Sequence, residues 1–253
     1  MLKPLDQFLR GQVTVASFSV FVDIRLLRLR LLGQPLPFSD DIQYIFDKQL
    51  EEAGLVVISH ADQVPPAIAR ETESLARRRY PDAALRLQNS LDAGDVAGWV
   101  DLVSSGTVPA ANTSLEIDYA RYGAGEADLA WLDERIALTF ADGEGRAVVT
   151  HMLEEIVGAS RRERLPVGHL KCAIESPGCR AKISVTTLDS SAWRDAVPEF
   201  SGTGATLILN ARVQAGAEKL RALVHAAVQS ANGTETQAVA FHPGFPRPAH
   251  RIA

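Results

Sequence analysis

Three short apolar runs, each followed by a segment of helical periodicity, fill the first hundred residues and constrain the fold more than any other feature. Residues 12–22 (QVTVASFSVFV) are largely apolar, as expected for a strand covered on both faces. A helix is predicted over 40–53, with Ser39 as its N-cap and Ile42, Tyr44, Ile45 and Leu50 on its apolar side. Residues 55–58 read as a short buried strand. The next helix, 65–80, starts with Pro65 and Pro66, where prolines are tolerated. Residues 84–87 and 96–103 are a third strand and helix. Such alternation implies right-handed crossovers and a parallel sheet. Sites in these sheets form at the carboxyl ends of strands, so the segments after Val22, Ile58 and Leu87 are where chemistry is expected.

The pattern breaks at 104–113 (SSGTVPAANT), a turn-rich stretch read as a linker. Beyond it a strand is expected over 127–140, a helix over 145–160, and a hairpin of 167–174 with 181–187 about Ser176, Pro177 and Gly178. In that hairpin Cys179 faces Ser176 and Cys172 lies opposite Ile183. A strand over 204–213, a helix over 217–231 and a strand over 237–242 follow. This β-α-β-β-β-α-β order predicts a smaller α+β domain with its helices on one face. The expected organisation is 1–104, a linker with an acidic and aromatic segment at 105–126, and 127–253.

Composition narrows the setting. Charged residues are 23% and the net charge is −5, which gives no reason to expect nucleic acid or an anionic membrane as partner. The run Arg77, Arg78, Arg79 falls at the end of a predicted helix, where positive charge suits the helix dipole. Two cysteines are too few for a secreted disulfide scaffold. The apolar stretch 13–22 is short, β-branched and closed by Asp23, unlike a signal core, and no stretch approaches the ~20 apolar residues of a membrane span. A cytoplasmic location is expected.

The loop after the second strand reads Ser59, His60, Ala61, Asp62, and the loop after the third Gln88, Asn89, Ser90. A strand end before a helix is where a guanine-reading Asn-Lys-x-Asp signature would stand, its Asp accepting from the base and its Lys packing over it. Only Asp62 matches; Ser59 is a weak brace and His60 lacks the long Lys stem. An Asp N-cap and, for the second loop, a polar turn capped by Ser or Asp are the competing readings.

With Lys48-Gln49-Leu50-Glu51-Glu52-Ala53 ahead of the second strand, these pieces resemble the "KQLEEAD…NKxD" stretch of CobW-type P-loop GTPases of cobalamin synthesis and metal delivery. The run Ser19-Val20-Phe21-Val22-Asp23 is similar to that family's "vvtvVDa" strand. Leu115 to Tyr119, Tyr122, Gly125 to Ala127 and Trp131-Leu132 resemble a corrinoid-associated subgroup, as do Gly168 to Lys171 and Pro243 to Pro248. The resemblance implies an α/β fold: an incomplete P-loop-GTPase-like parallel sheet followed by the smaller α+β domain. It also implies a degenerate guanine site at Ser59, His60, Asp62 and Ser90. GTP with Mg²⁺, and zinc or cobalt, are implied by resemblance alone.

The departures are equally specific. The family's phosphate loop is GxxxxGK[ST], and none of the five lysines here follows a glycine. The family's Cys-x-Cys-Cys metal site and Walker B acid are also missing. Phosphoryl transfer relies on those groups, so no catalytic residue is assigned and no GTP turnover is expected from this polypeptide alone. No metal ligand set is assigned: the cysteine spacing fits no zinc pattern, and His169 shares a strand face with Lys171, opposite Cys172. His242 and His250 flank a Pro-rich tail. Asp118, Tyr119, Tyr122, Glu126, Trp131, His169 and Lys171 form a candidate interaction segment, with a solvated loop entering a strand as its alternative.

Three readings follow: a degenerate family member, half of a split or truncated GTPase metallochaperone, or a client-binding module. An in-frame Gly-Lys-Ser/Thr segment upstream would separate the first two. The eroded Asn and Lys favour the first. The expected partner is a protein: a P-loop-bearing chain, a second copy, or a metalloprotein or corrinoid client. A parallel sheet short of strands exposes an edge, so association through residues 13–103 is expected.

Overall fold

The structure is a computed structural model that describes residues 9, 12, 16–111 and 116–241, with side chains described as far as Glu235. Two compact units meet in sequence between Gly125 and Glu126. The first is built on β1 (Ser19–Asp23), α1 (Ile24–Leu31), α2 (Asp40–Glu52), β2 (Leu55–Ser59), α3 (Pro66–Arg79), β3 (Ala84–Gln88) and α4 (Ala93–Ser104). A 3-10 turn, Ala61–Gln63, separates β2 from α3. The strands form a parallel sheet in the order β1-β2-β3, with Asp23, Ser59 and Gln88 in one row at its carboxyl end.

The continuous apolar run of β2 is explained by cover on both faces. Val56 and Ile58 pack with Ile24, Leu27, Ala69 and Ala76 on one side. Leu55 and Val57 pack on the other with Val108, Trp99, Leu102 and Val103. Phe21 lies on this second face against Trp99, ring centroids 5.4 Å apart, yet remains 48% exposed.

Two local readings are revised. The strand expected over 12–22 begins at Ser19 among the described residues, and α1 follows it where no helix was predicted; residues 13–15 lie outside the description. The segment read as a linker is packed into the first unit. Val108 is buried, the Ala110 carbonyl accepts from the Phe18 amide at 2.5 Å, and Ala111 bridges Ala53. The cause is Gly54, whose missing side chain lets this backbone sit against it: a Cβ there would stand 2.0 Å from the Pro109 carbonyl oxygen.

Helix α5 (Tyr119–Asp128) leads into the second unit. There β4 (Ala130–Thr139), α6 (Gly145–Arg162), β5 (Val167–Ser176), β6 (Cys179–Val185), β7 (Gly204–Val213), α7 (Ala217–Ser230) and β8 (Gly233–Phe241) follow. The sheet order is β6-β5-β7-β4-β8, antiparallel at every pairing. Cys179 pairs with Ser176 and Cys172 with Ile183, the register expected from the Pro177-Gly178 turn. Strict alternation in β4 and β7 sends Leu132, Ile136, Leu207 and Leu209 into one core with Met152, Leu153, Ile156, Val224 and Val228 of the helices. The other face carries Asp133, Arg135, Asn210 and Arg212, while one acid, Glu134, lies on the core side.

Candidate functional site

The carboxyl ends of the parallel strands gather the polar groups of the first unit. Asp23 ends β1, only 7% exposed, and caps α1: its Oδ1 accepts from the Arg25 amide at 2.8 Å. The Arg25 guanidinium closes a fork on the same carboxylate at 3.0 and 2.6 Å. In the neighbouring strand the Ser59 hydroxyl donates to the Val22 carbonyl at 2.9 Å, tying β2 to β1. His60 stands at φ 58°, ψ 30°, a left-handed conformation that His adopts more readily than most side chains. This turn brings its Nε2 to 3.9 Å from Asp23 Oδ2. Burial pushes the imidazole's pKa down, and Arg25 adds to that, while Asp23 and Asp62 oppose it.

Asp62 occupies the 3-10 turn, exposed to solvent. It is not the N-cap of α3; Pro65 stands there. In the third loop the buried Gln88 accepts from Arg86 Nε at 3.1 Å and donates to the Ser90 hydroxyl at 3.3 Å. Asp92 caps α4 by accepting from the Asp95 amide at 2.8 Å. Asp95 in turn accepts from the Asn89 amide at 2.7 Å. The capped polar turn anticipated for this loop is therefore present.

The site thus brings Ser59 and His60 beside Asp23 and Arg25, two residues absent from the sequence-derived site. Asp23 was legible as an acid closing an apolar strand before a cap; Arg25 carried no signal. Its chemistry is limited. The Ser59 hydroxyl is spent on a carbonyl, and Arg25 is held by Asp23. Lys48, the one lysine among the described residues of this unit, pairs with Glu51 at 2.8 Å. Among the described residues Arg25 and Lys48 are both engaged by acids, so neither is free to neutralise a triphosphate as Mg²⁺–GTP requires. What remains is a half-buried imidazole able to exchange one hydrogen bond with a ligand.

The residues of the candidate interaction segment are divided between the two units, Asp118, Tyr119 and Tyr122 in the first and Glu126, Trp131, His169 and Lys171 in the second. Asp118 caps α5, its Oδ1 accepting from the Ala120 and Arg121 amides at 3.0 and 3.2 Å. Its own amide donates to the Tyr44 hydroxyl at 2.7 Å. Arg121 lies 4.6 Å above the Tyr44 ring and bonds Asp41 at 3.1 Å. Tyr119 is 49% exposed, and Tyr122 is half-buried. The solvated-loop alternative gives way to a helix docked on α2. Within the second unit Glu126 pairs with Arg212 at 2.8 Å, and Arg212 lies 4.0 Å above the Trp131 ring.

His169 and Lys171 lie on the open face of the second sheet. His169 Nε2 meets Asn210 Oδ1 at 2.6 Å, and Asn210 donates to Asp133. Burial pushes His169 down to about 4, with Lys171 and Arg212 adding to the effect against the Asn210 bond and Asp133. Cys172, 1% exposed, is pushed up to about 12 by burial. Among the described residues no three His, Cys, Asp or Glu are placed to hold a metal ion, and no helix is long and apolar enough to cross a membrane. His242, His250 and residues 243–248 lie outside the described residues.

No protein-family model matches the chain, and no curated protein matches it. Among solved structures, it is similar to a Zn(II)-bound triple mutant of the GTPase YjiA, with 12% identity and a TM-score of 0.27. The alignment covers 89% of this chain and 66% of that one, just under two thirds of its length. A likeness that remote carries neither activity nor ligand across.

Proposed function

We propose that this chain is a degenerate CobW-like relative of the P-loop GTPases that acts as a binding protein in cobalamin or metal-cofactor metabolism, without GTP turnover of its own. The observation that carries the reading is the loop after β2. It stands at a strand end before a helix, as a guanine-reading loop would, but Ser59 is bonded to Val22, His60 turns back towards Asp23, and Asp62 is exposed on the 3-10 turn. The sequence in hand has no Gly-Lys pair to hold phosphates. A reducing, cytoplasmic setting is consistent with its two cysteines.

Isothermal titration of the chain with GTP and Mg²⁺ tests this. Binding weaker than about 100 μM, worth under roughly 5.5 kcal/mol, is expected. Sub-micromolar binding would overturn the reading, because it requires a phosphate site.

A second reading, in which the chain works only with a protein partner, is favoured by Phe21. It is half exposed on β1, a strand that pairs with β2 alone among the described strands. Parallel sheets are ordinarily covered on both faces, and a partner packing on this face beside β1 would cover the side chain.

A further inference from the structure

The second unit contains a buried acid that no ligand or packing role explains, and it stands apart from the proposed function. Glu134 is 3% exposed on the helix-facing side of β4, between Leu132 and Ile136. One carboxyl oxygen, Oε1, has no hydrogen-bond partner among the described residues. A carboxylate left like this is costly. Glu235 of β8 pairs with Ile136, two residues along β4 from Glu134 and on the same side of the sheet, and its Oε1 meets His225 Nδ1 at 2.7 Å. Glu235 is 19% exposed and His225 on α7 is 55% exposed, so the three groups run from the core to the surface.

They do not converge on a point that could hold a metal ion. They follow one another outward from the core, with Glu134 and Glu235 near enough in the ladder to share a proton and Glu235 facing the imidazole. Burial, then the Glu235 charge and the hydrogen bond to it, push Glu134 up to about 7, with Arg221 of α7 opposing. On β7 the cross-strand neighbour is Leu209, which supplies no charge. The β4–β8 register slips between Arg135 and Ile136, leaving Thr236 as an extra residue beside Glu235. A bulge makes the ladder locally weakest at this point.

We propose that Glu134, Glu235 and His225 form a proton-dependent latch on the edge strand β8. With one proton held between the two carboxylates, β8 is clamped to β4. Loss of that proton to solvent sets two like charges against each other beside the bulge and releases the strand. A raised carboxyl stabilises the closed form fully below its ordinary pKa of about 4.5, and that stabilisation is lost as pH rises through about 7. If the released form has the ordinary value, closure weakens about thirtyfold between pH 5.5 and 8.5.

Amide hydrogen exchange on the full chain tests the latch, with protection factors corrected for intrinsic rates. Protection in β8 should fall by roughly that factor while β5 and β7 change little, and Glu134→Gln should abolish the difference. Equal pH responses in wild type and Glu134→Gln, or parallel loss in β7, would overturn the proposal. Glu235→Gln is the second variant, expected to flatten the response by removing the opposing charge. Should neither variant fold, the carboxyl ¹³C titration of Glu134 in the wild type decides: a midpoint near 7 supports the latch, one near 4.5 sinks it.

Discussion

Gly54→Ala probes whether residues 108–111 belong to the first sheet or merely connect units. Gly54 donates to Phe18 and accepts from Ala84, so its backbone is fixed from both sides. An added methyl would stand 2.0 Å from the Pro109 oxygen and 2.7 Å from the Ala110 oxygen, both backbone atoms with no rotamer to escape by. The strand therefore stays and the 109–111 backbone moves out by an ångström or more. That motion breaks the Phe18–Ala110 hydrogen bond, worth about 1 kcal/mol. It also unseats Val108, whose full burial is worth about 1.5–3 kcal/mol. Alanine returns about 0.4–1 kcal/mol by restricting the unfolded chain, leaving a net loss of about 1.5–3.5 kcal/mol. Urea unfolding followed by far-UV circular dichroism should show it, together with faster proteolysis at 105–111. A loss under about 0.5 kcal/mol, the usual size of surface changes, would refute the packing described for this segment.

Two further outcomes are expected. His169 should remain neutral through pH 5.5–8 in an NMR titration. Its folded pKa of about 4 lies below the ordinary histidine value of 6.5, so its contribution to stability is full above about 6.5 and is lost as pH falls towards 4. A midpoint near 6.5 would contradict its burial against Asn210. The open edge of β1 and the exposed Phe21 predict self-association in light scattering at micromolar concentration, weakened by Phe21→Ser; a strictly monomeric profile counts against a partner at that edge.

The elements most legible in sequence were those with one dominant period. The β5–β6 register followed from Pro177 and Gly178, and β2 from an unbroken apolar run. Helix α1 was missed because Ile24 to Leu31 alternates leucine with arginine, blurring the two periods, and its cap Asp23 looked like the end of a strand. Helix α5 was hidden by Gly123 and Gly125, which lower helix propensity. Yet Gly125 is required by tertiary contact, since a Cβ there would meet the Asp41 carbonyl oxygen at 2.5 Å. Glu134 was recoverable: period-two counting places it inward with Leu132 and Ile136. The Asp23–Arg25–His60 cluster was less so, because it depends on a left-handed turn at His60 that composition does not announce.

The order β6-β5-β7-β4-β8 also sets a timetable for synthesis. As the chain leaves the ribosome, β5 and β6 can pair at once across their tight turn. β4, made first in this unit, must wait for β7 and then for β8, the last strand among the described residues. Until then its inward side chains lack their neighbours, and long-range pairing of this kind is slow and prone to wrong encounters. An acid at the middle of β4 keeps that waiting strand from being uniformly greasy. Glu134 interrupts what would otherwise be an unbroken apolar face on that strand, a pattern that disfavours edge-to-edge pairing of exposed strands.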